Sequence, residues 1–346
     1  MIHHRISVAR FTEDVGIESY RHSAIKNQTI CTVTDLSVTM STKMNLAVRA
    51  LLLLFSLCVF AGCGKSSSSP KVLRVGFVPA ENAQQVIQNA QPIVDILQNR
   101  LGMEVQPFVA TDYTGVIEAL RGNKLDIAFL TPASYVLAKN EANVKVVLKS
   151  ERKGSPFYYA AIITRADSGI KRLEDLRGKT FAFGDPLSTS ANVFPRKMLH
   201  EHGIDPVRDF KQILNSGGHD ATVLAVLNGK VDAGATYANS PDSNDTAWMR
   251  YLKNPDDVKK IRAIAFSEPI PADNLVINAN LDDRTAKKIE EIFIDLSHDE
   301  KGKKMLRDLY QIDGFVAATD KDYDSVRQAF AIAGIPIKEA LQKKQP

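Results

Sequence analysis

The sequence has 346 residues, with 44 Lys and Arg against 40 Asp and Glu, and a formal net charge of +4. This length suits two modest domains or one two-lobed protein, and hydrophobic residues make up 44% of it, an ordinary share for a protein with a sizeable core. Residues 1–64 carry six of the basic and four of the acidic residues, so the remaining body is nearly neutral and offers no clustered basic face for nucleic acid.

The N-terminal region predicts an export segment. Arg49 precedes an apolar run at residues 50–61, and small residues lead into Cys63. The run has the length of a signal-peptide core and is short for a membrane span. Small residues before a cysteine resemble the lipobox of bacterial lipoproteins, in which that cysteine is diacylated, although Phe60 replaces the usual Leu. A plain cleaved signal peptide or a short anchor helix is the alternative.

The flanking segments are interpreted in the same way. Residues 1–43 are polar without clear periodicity, so translation is expected to begin at Met40 or Met44, which makes the upstream stretch an over-extended N-terminus. Residues 44–62 then form the signal peptide, and the serine-rich residues 63–71 form a flexible tether. All three cysteines lie in the first 63 residues, so the body can hold no disulfide, and neither a metal nor a cofactor is expected.

From Val72 onward, short apolar runs alternate with amphipathic stretches. Strands are predicted at 72–78, 105–110, 125–130, 144–149, 158–164, 180–184, 210–214, 231–237, 261–266 and 275–278. Helices are predicted at 83–101, 113–121, 132–139, 188–201, 219–227, 285–296, 299–309 and 323–333, with Thr131 as the N-cap of the third. This alternation predicts βαβ units and mostly parallel sheets flanked by helices.

Two such α/β units imply two lobes with a cleft between them. The first lobe is predicted to hold residues 72–165 plus 267–346, and the second residues 166–266. Because ligands of open α/β sheets lie at the carboxyl ends of strands, beside helix N-termini, the loops that lead from a strand into a helix are the places to look for a site.

Two of these loops have suitable chemistry. In the first, Ser188, Thr189 and Ser190 open a helix, where free backbone N–H groups and the helix dipole favour an anion. Ordinary N-capping by one hydroxyl is the alternative. In the second, paired glycines precede His219, which can donate a hydrogen bond to an anion, and Asp220, which can cap the helix. A structural role for His219 stays open at this point.

Several segments resemble the phosphonate-, phosphite- and phosphate-binding proteins of ABC importers, the PhnD-like family with the type II periplasmic-binding fold. They are VGFVPAENA at 75–83, TDYTGVIEALRGNKLDIAFLTPASYVLA at 111–138, LEDLRGKTFAFGDPLSTSANVFP at 173–195, SGGHDATVLAVLNGKVDAGATY at 216–237 and PIPADNLVI at 269–277. The resemblance covers nearly all of residues 72–335. Its D-P-x-S-T-S motif, followed by G-H-D, is specific, although Ala191 replaces the Gly that usually follows S-T-S.

The resemblance implies a set of ligand-binding residues. They are Ser188, Thr189, Ser190 and His219 from the second lobe, Tyr113 from the first, Tyr158 (or its neighbour Tyr159) at the cleft wall, and Asp273 facing the oxyanion. A carboxylate beside an oxyanion is tolerable only if it accepts a hydrogen bond from a P–OH group, which sulfate lacks. Without the resemblance, Asp273 would be interpreted as a solvated loop acid, and Tyr113 and Tyr158 as packing residues.

The expected function is therefore that of an exported solute-binding lipoprotein rather than an enzyme. It would be anchored to the membrane through lipid in the periplasm or at the cell surface, and would pass a small phosphorus oxyanion to ABC permease subunits. An aminoalkyl phosphonate is disfavoured, because the loop after Tyr237 offers Asn239 and Asp242 but no clear acidic pair for its ammonium. A small ligand, phosphite or methylphosphonate, is favoured, with phosphate next. The alternatives are a sensor ectodomain and an exported serine hydrolase with His219 as base, which would lack a G-x-S-x-G elbow.

Overall fold

The structure is a computed structural model that describes residues 72–242 and 245–336. The predicted over-extended N-terminus, signal peptide, Cys63 and tether lie outside these residues. Within the described ranges, no helix is both long enough and apolar enough to span a bilayer.

The elements alternate between strands and helices as the sequence predicts. The strands are β1 (Leu73–Phe77), β2 (Val105–Val109), β3 (Ile127–Leu130), β4 (Val144–Glu151), β5 (Phe157–Arg165), β6 (Thr180–Phe183), β7 (Gln212–Asn215), β8 (Ala233–Ala238), β9 (Ile261–Phe266), β10 (Ile270–Pro271), β11 (Asn274–Asn278) and β12 (Gly314–Ala317). The α-helices are α1 (Ala83–Leu101), α2 (Tyr113–Arg121), α3 (Pro132–Glu141), α4 (Phe194–Glu201), α5 (Pro206–Asp209), α6 (His219–Leu227), α7 (Ala247–Tyr251), α8 (Pro255–Lys259), α9 (Asp283–Leu296), α10 (Glu300–Tyr310) and α11 (Asp324–Ile332).

The strands form two mixed six-stranded sheets. The first has the order β12-β4-β11-β3-β1-β2, and the second has the order β10-β5-β8-β6-β7, with β9 also paired to β5. In the first sheet β1 to β4 share one direction while β11 and β12 run against them. In the second sheet β5 alone opposes the other strands. The predicted βαβ direction therefore holds for most strands, but the sheets are mixed rather than mostly parallel.

Two of the antiparallel strands, β5 and β11, enter a sheet from the opposite lobe. The chain leaves the first sheet after β4 and enters the second as β5, and it returns from β10 into the first sheet as β11. The two crossings lie side by side, because the N–H of Ala272 donates to the carbonyl of Pro156 (2.9 Å) and that of Ser150 donates to the carbonyl of Asp273 (2.8 Å). The alternation of strands and helices in the sequence does not reveal where the chain crosses from one sheet to the other.

The crossings also bear on the predicted lobe boundaries. Strand β5, Phe157–Arg165, pairs with β8 and β9 in the second sheet, although its residues fall in the predicted first lobe. Strand β10, Ile270–Pro271, pairs with β5 and lies with the second sheet for the same reason. Both strands follow or precede a crossing directly, so the sequence alternation could not tell which sheet they join.

Local chemistry explains why the helices begin where they do. The side chain of Asn82 accepts hydrogen bonds from the N–H groups of Gln84 and Gln85 at the start of α1. Thr131 caps α3 as predicted, accepting from the N–H of Ser134, and Pro132 takes the first helical position. Both helix starts follow strands of the first sheet, so they face the edge where the second lobe approaches.

The two lobes share apolar packing. One hydrophobic cluster lies against each sheet, and a third joins buried residues of the first lobe, such as Tyr113 and Val136, to Phe181 and Phe194 of the second. Helix α11 contributes Phe330 to this shared cluster and packs against both α3 and α4. Burial of these side chains fixes the lobes next to each other on one side of the cleft.

Candidate ligand-binding site

A cavity of about 50 Å³ lies between the two lobes. Its walls are formed by Ala80, Glu81, Thr131, Arg152, Tyr158, Ser190, His219, Tyr237, Asn239, Arg250, Tyr251, Asp273 and Tyr310. One water molecule needs roughly 10–15 Å³ of such space, so there is room for a few waters or a small ligand. Four of the residues predicted from the sequence, Tyr158, Ser190, His219 and Asp273, meet at this cavity.

The three neighbouring hydroxyls have different positions. Residues Thr189–Val193 form a π-helical turn ahead of α4, in place of the regular helix predicted from Ser188. The Ser188 hydroxyl caps this turn by accepting from the N–H of Ala191 (3.2 Å). The Thr189 hydroxyl accepts from the N–H of Ala133 at the start of α3, in the other lobe (2.9 Å). Of the three, Ser190 lines the cavity.

The hydroxyl turn packs closely on the end of β6. The N–H of Gly184 donates to the carbonyl of Ala191 (2.9 Å), and a Cβ atom at Gly184 would stand 2.6 Å from the Cβ of Ala191. Ala191 stands where the PhnD-like sequences usually have glycine. Its methyl group leaves no room for a side chain at residue 184, so that residue is required to be glycine.

This contact gives a compensation test. Gly184→Ala is expected to lower the free energy of unfolding by about 1–3 kcal/mol through overpacking. Adding Ala191→Gly removes the clashing methyl group, so the double variant should recover most of that loss, less about 0.5–1 kcal/mol for the added glycine. Urea denaturation of the two single variants and the double variant measures both effects. A double variant no more stable than Gly184→Ala would contradict the packing argument.

His219 is a neutral donor in this setting. It begins α6, its Nδ1 lies 3.0 Å from the hydroxyl of Thr236, and its ring meets the Tyr237 ring edge-on at 4.9 Å between centroids. Burial, and then the nearby Arg250 guanidinium, lower the pKa of His219 from 6.5 to about 4. If the Thr236 hydroxyl donates to Nδ1, the ring carries its proton on Nε2, where it can donate to an anion.

The depressed pKa of His219 predicts how stability depends on pH. Between pH 6.5 and about 4 the unfolded chain binds a proton that the native His219 does not, so stability falls as pH falls through this interval. The loss should reach up to about 3 kcal/mol for the wild type and be absent in His219→Asn. Asp185, whose pKa burial raises to about 6, has the opposite slope and cancels in the comparison.

Denaturant titrations at several pH values in this interval would measure the difference. The matched control is His298→Asn, which removes an exposed imidazole that does not line the cavity. Equal slopes for the wild type and His219→Asn would rule out a buried neutral imidazole.

The two predicted tyrosines differ in position. Tyr158 lines the cavity, and burial raises its pKa, while hydrogen bonding to Thr189 and Ser190 opposes that shift. Tyr113 is fully buried and is not one of the cavity-lining residues. Its backbone N–H donates to the Asp185 carboxylate across the cleft (3.2 Å). Tyr158 thus lines the cavity. Tyr113 joins the lobes through its backbone, and its phenol lies within electrostatic reach of Tyr310, Asp273 and Tyr158, which line the cavity.

Asp273 is paired with an arginine that the sequence analysis did not single out. Its Oδ2 accepts from Nη2 of Arg152 at 2.7 Å, and the Arg152 side chain is 8% exposed. Arg152 also donates to the hydroxyl of Ser150 and to the carbonyl of Tyr310. The carboxylate keeps lone pairs for a P–OH donor, but its charge is compensated. Asp273 alone is therefore a weaker basis for excluding sulfate than the sequence argument assumed.

A second ion pair joins the lobes at the cavity. Glu81, in the loop between β1 and α1, accepts from Nη2 of Arg250 on α7 at 3.0 Å. Glu81 lies in a strand-to-helix loop, so the criterion used for the hydroxyl turn would also have selected it. Arg152 lies in a crossing between the sheets, and Arg250 lies in the five-residue helix α7. Charged residues in such short segments are more often solvated, and no sequence pattern distinguishes these two.

Comparison with known proteins identifies the family. Residues 75–323 match the family described as ABC transporter, phosphonate, periplasmic substrate-binding protein, which is well over half of the chain. The chain belongs to this family. Within it, the phosphonates-binding periplasmic protein of Escherichia coli is 31% identical over 280 residues, which cover 80% of each chain. The phosphate-import protein PhnD of Mycolicibacterium smegmatis is 30% identical over 319 residues, or 84% of this chain and 96% of that protein.

A solved structure agrees with this family assignment. The binding protein component of an ABC phosphonate transporter from Pseudomonas aeruginosa matches this chain with a TM-score of 0.69 and 28% sequence identity. The match covers 80% of this chain and 91% of that structure. The predicted two-lobed α/β fold of the type II periplasmic-binding class is confirmed.

Proposed function

We propose that the protein captures a small phosphorus oxyanion, namely a phosphonate, phosphite or phosphate, and delivers it to the permease of an ABC importer. The observation that carries this proposal is the cavity between the lobes, where Ser190, His219 and Arg152 bring hydrogen-bond donors together. Donors fixed in a buried site suit an anion with several oxygens. The family match supports the same solute class.

In this proposal, Tyr158, Ser190, His219 and Asp273 contact the ligand directly, because they line the cavity. Ser188 and Thr189 hold the hydroxyl turn in place, and the Tyr113 phenol lies near the cavity residues Tyr310, Asp273 and Tyr158. Closure of two lobes on a ligand is a common mode of capture in such proteins. The hydrogen bonds from Ala133 to Thr189 and from Tyr113 to Asp185 are contacts that would form on closure.

Calorimetric titration of the purified protein against phosphite, methylphosphonate, 2-aminoethylphosphonate, phosphate and sulfate tests the proposal. Tight binding of at least one phosphorus oxyanion, with weaker or no binding of sulfate, is expected. No binding of any phosphorus oxyanion would contradict the proposed ligand class. Hydrolysis of model phosphate esters that is lost in Ser190→Ala would contradict a purely binding role.

Anchoring through a lipid on Cys63 is part of the proposal. Its support is the apolar run that ends in small residues and a cysteine, followed by a serine-rich stretch. Expression in a bacterium with labelled palmitate should give a labelled protein, and Cys63→Ser should remove the label. An unlabelled wild type would contradict the anchor and leave the binding function untouched. A sensing role would use the same cavity and differ only in its partner, which neighbouring genes for a permease or a kinase would indicate.

A further inference from the structure

Asn239 is a buried polar side chain that lacks partners. It follows β8 directly, is 7% exposed and lines the cavity between the lobes. Neither its Nδ2 nor its Oδ1 has a hydrogen-bond partner within residues 72–242 and 245–336. An unsatisfied buried polar group costs about 1–3 kcal/mol, so the amide is expected to meet a partner that occupies the cavity.

The position of Asn239 separates it from the hydroxyl turn. Tyr237 and Asn239 both line the cavity, and Tyr237 packs against His219. His219 contacts Thr236 and Tyr237, and Asn239 lies two residues further along the chain, which in extended backbone is roughly 6.5 Å. If Ser190 and His219 hold the oxyanion, the amide faces the part of the ligand that lies beyond the phosphorus.

The charges around the cavity restrict what that part can be. Its two carboxylates, Glu81 and Asp273, are each paired with an arginine, at 3.0 Å to Arg250 and 2.7 Å to Arg152. An ammonium group on the ligand would find no unpaired carboxylate on the cavity wall, and it would lie near the Arg250 cation. Removing it from water without a counter-charge is unfavourable, so the wall disfavours aminoalkyl ligands.

The amide itself indicates the preferred group. It presents one acceptor and a donor group side by side, and a hydroxyl can accept from Nδ2 or donate to Oδ1. A methyl group can do neither. The cavity of about 50 Å³ limits the substituent to a few heavy atoms.

We propose that Asn239 is a specificity-determining residue that hydrogen-bonds a hydroxyl on the ligand's substituent, while the Glu81–Arg250 pair excludes an ammonium there. The substrate class is then that of small, uncharged hydroxyalkyl phosphonates. This inference rests on the proposed function, because it takes the oxyanion to lie at Ser190 and His219.

The test compares hydroxymethylphosphonate, methylphosphonate and 2-aminoethylphosphonate by calorimetric titration of the purified protein. Hydroxymethylphosphonate should bind about 10-fold more tightly than methylphosphonate, because a buried hydrogen bond is gained, and 2-aminoethylphosphonate should bind most weakly. Asn239→Leu should remove the advantage of the hydroxyl and leave methylphosphonate within about twofold of the wild type. Asn239→Asp should instead raise the affinity for 2-aminoethylphosphonate relative to the other two.

The outcomes separate the inference from the function on which it rests. Phosphite and phosphate are titrated alongside, and the proposed function itself fails if no phosphorus oxyanion binds. If phosphite or phosphate binds and none of the three phosphonates does, the specificity role of Asn239 is overturned. If all bind with equal affinity to the wild type, or if Asn239→Leu weakens methylphosphonate as much as hydroxymethylphosphonate, the oxyanion site stands and the specificity role of Asn239 is overturned. Thermal unfolding of Asn239→Leu and Asn239→Asp tests whether each variant is folded. Because the two substitutions differ in chemistry, either folded variant is sufficient to test the role of Asn239.

Discussion

Arg152→Ala is expected to weaken oxyanion binding by at least about 100-fold and to destabilise the protein by roughly 3 kcal/mol. The guanidinium is buried, binds the Asp273 carboxylate at 2.7 Å, and lies 5.8 Å from the centre of the Tyr158 ring. Its removal leaves a carboxylate without its counter-charge at the place where the proposed oxyanion would bind. Repulsion between that carboxylate and the oxyanion, and loss of the guanidinium donors, both lower the affinity for the oxyanion. Calorimetric titration and urea denaturation measure the two effects.

A second variant separates charge from packing. Arg152→Met combined with Asp273→Asn removes both charges at similar volume, so it should regain most of the lost stability while oxyanion affinity stays low. The matched control is Arg100→Ala, which breaks an exposed ion pair. The Arg100 side chain is 44% exposed and that of its partner Asp295 is 64% exposed. That loss should be below about 1 kcal/mol. If Arg152→Ala binds a phosphorus oxyanion as tightly as the wild type, the cation has no part in binding.

The three neighbouring hydroxyls should separate in their effects when each is removed. Ser190→Ala is expected to lower ligand affinity about 10- to 100-fold, because residue 190 lines the cavity and a bond to an anion is charge-assisted. Its loss of stability should be small, because the Tyr158 phenol keeps Thr189 as a hydrogen-bond partner. Ser188→Ala should instead cost about 1 kcal/mol of stability, the usual loss of an N-cap. Thermal unfolding with and without ligand, together with titration, gives both quantities for each variant.

Thr189→Val is the intermediate case. Its hydroxyl accepts from the N–H of Ala133 in the other lobe, so removing it leaves that donor without its partner and loosens a contact between the lobes. Affinity and stability should both decline. Equal losses of affinity in all three variants would mean that the three hydroxyls contact the ligand together, as the family resemblance implies, and that the separate roles derived from the structure do not hold.

The helices and strands of the first lobe could be predicted because local chemistry determines them. Helix α1 has the predicted bounds, Ala83–Leu101, since Val86, Ala90, Ile93 and Leu97 recur at helical spacing and are buried on one face. The capping of α3 by Thr131 followed in the same way. The loops that lead from strands into helices also pointed to Ser190 and His219, which line the cavity.

The ion pairs of the cavity could not be predicted from local patterns. Arg152 and Asp273 are 121 residues apart, and Arg250 and Glu81 are 169 residues apart. A charged residue in a loop is most often solvated, and only the tertiary arrangement gives it a buried partner. Strands as short as Ile270–Pro271 have no periodicity to detect, so the sheet that receives each crossing was also beyond sequence reasoning.

The two crossings between the sheets contain or adjoin residues of the cavity. Arg152 and Asp273 lie in the crossings, and Tyr158 is the second residue of the strand that one of them enters. In the proposed function, the same residues would contribute to both ligand affinity and the geometry that relates the lobes. By thermodynamic reciprocity, a membrane partner that stabilises separated lobes must weaken ligand binding by the factor by which the ligand opposes separation. If the proposed delivery to a permease holds, a partner that favours separated lobes would lower ligand affinity without placing a group in the cavity.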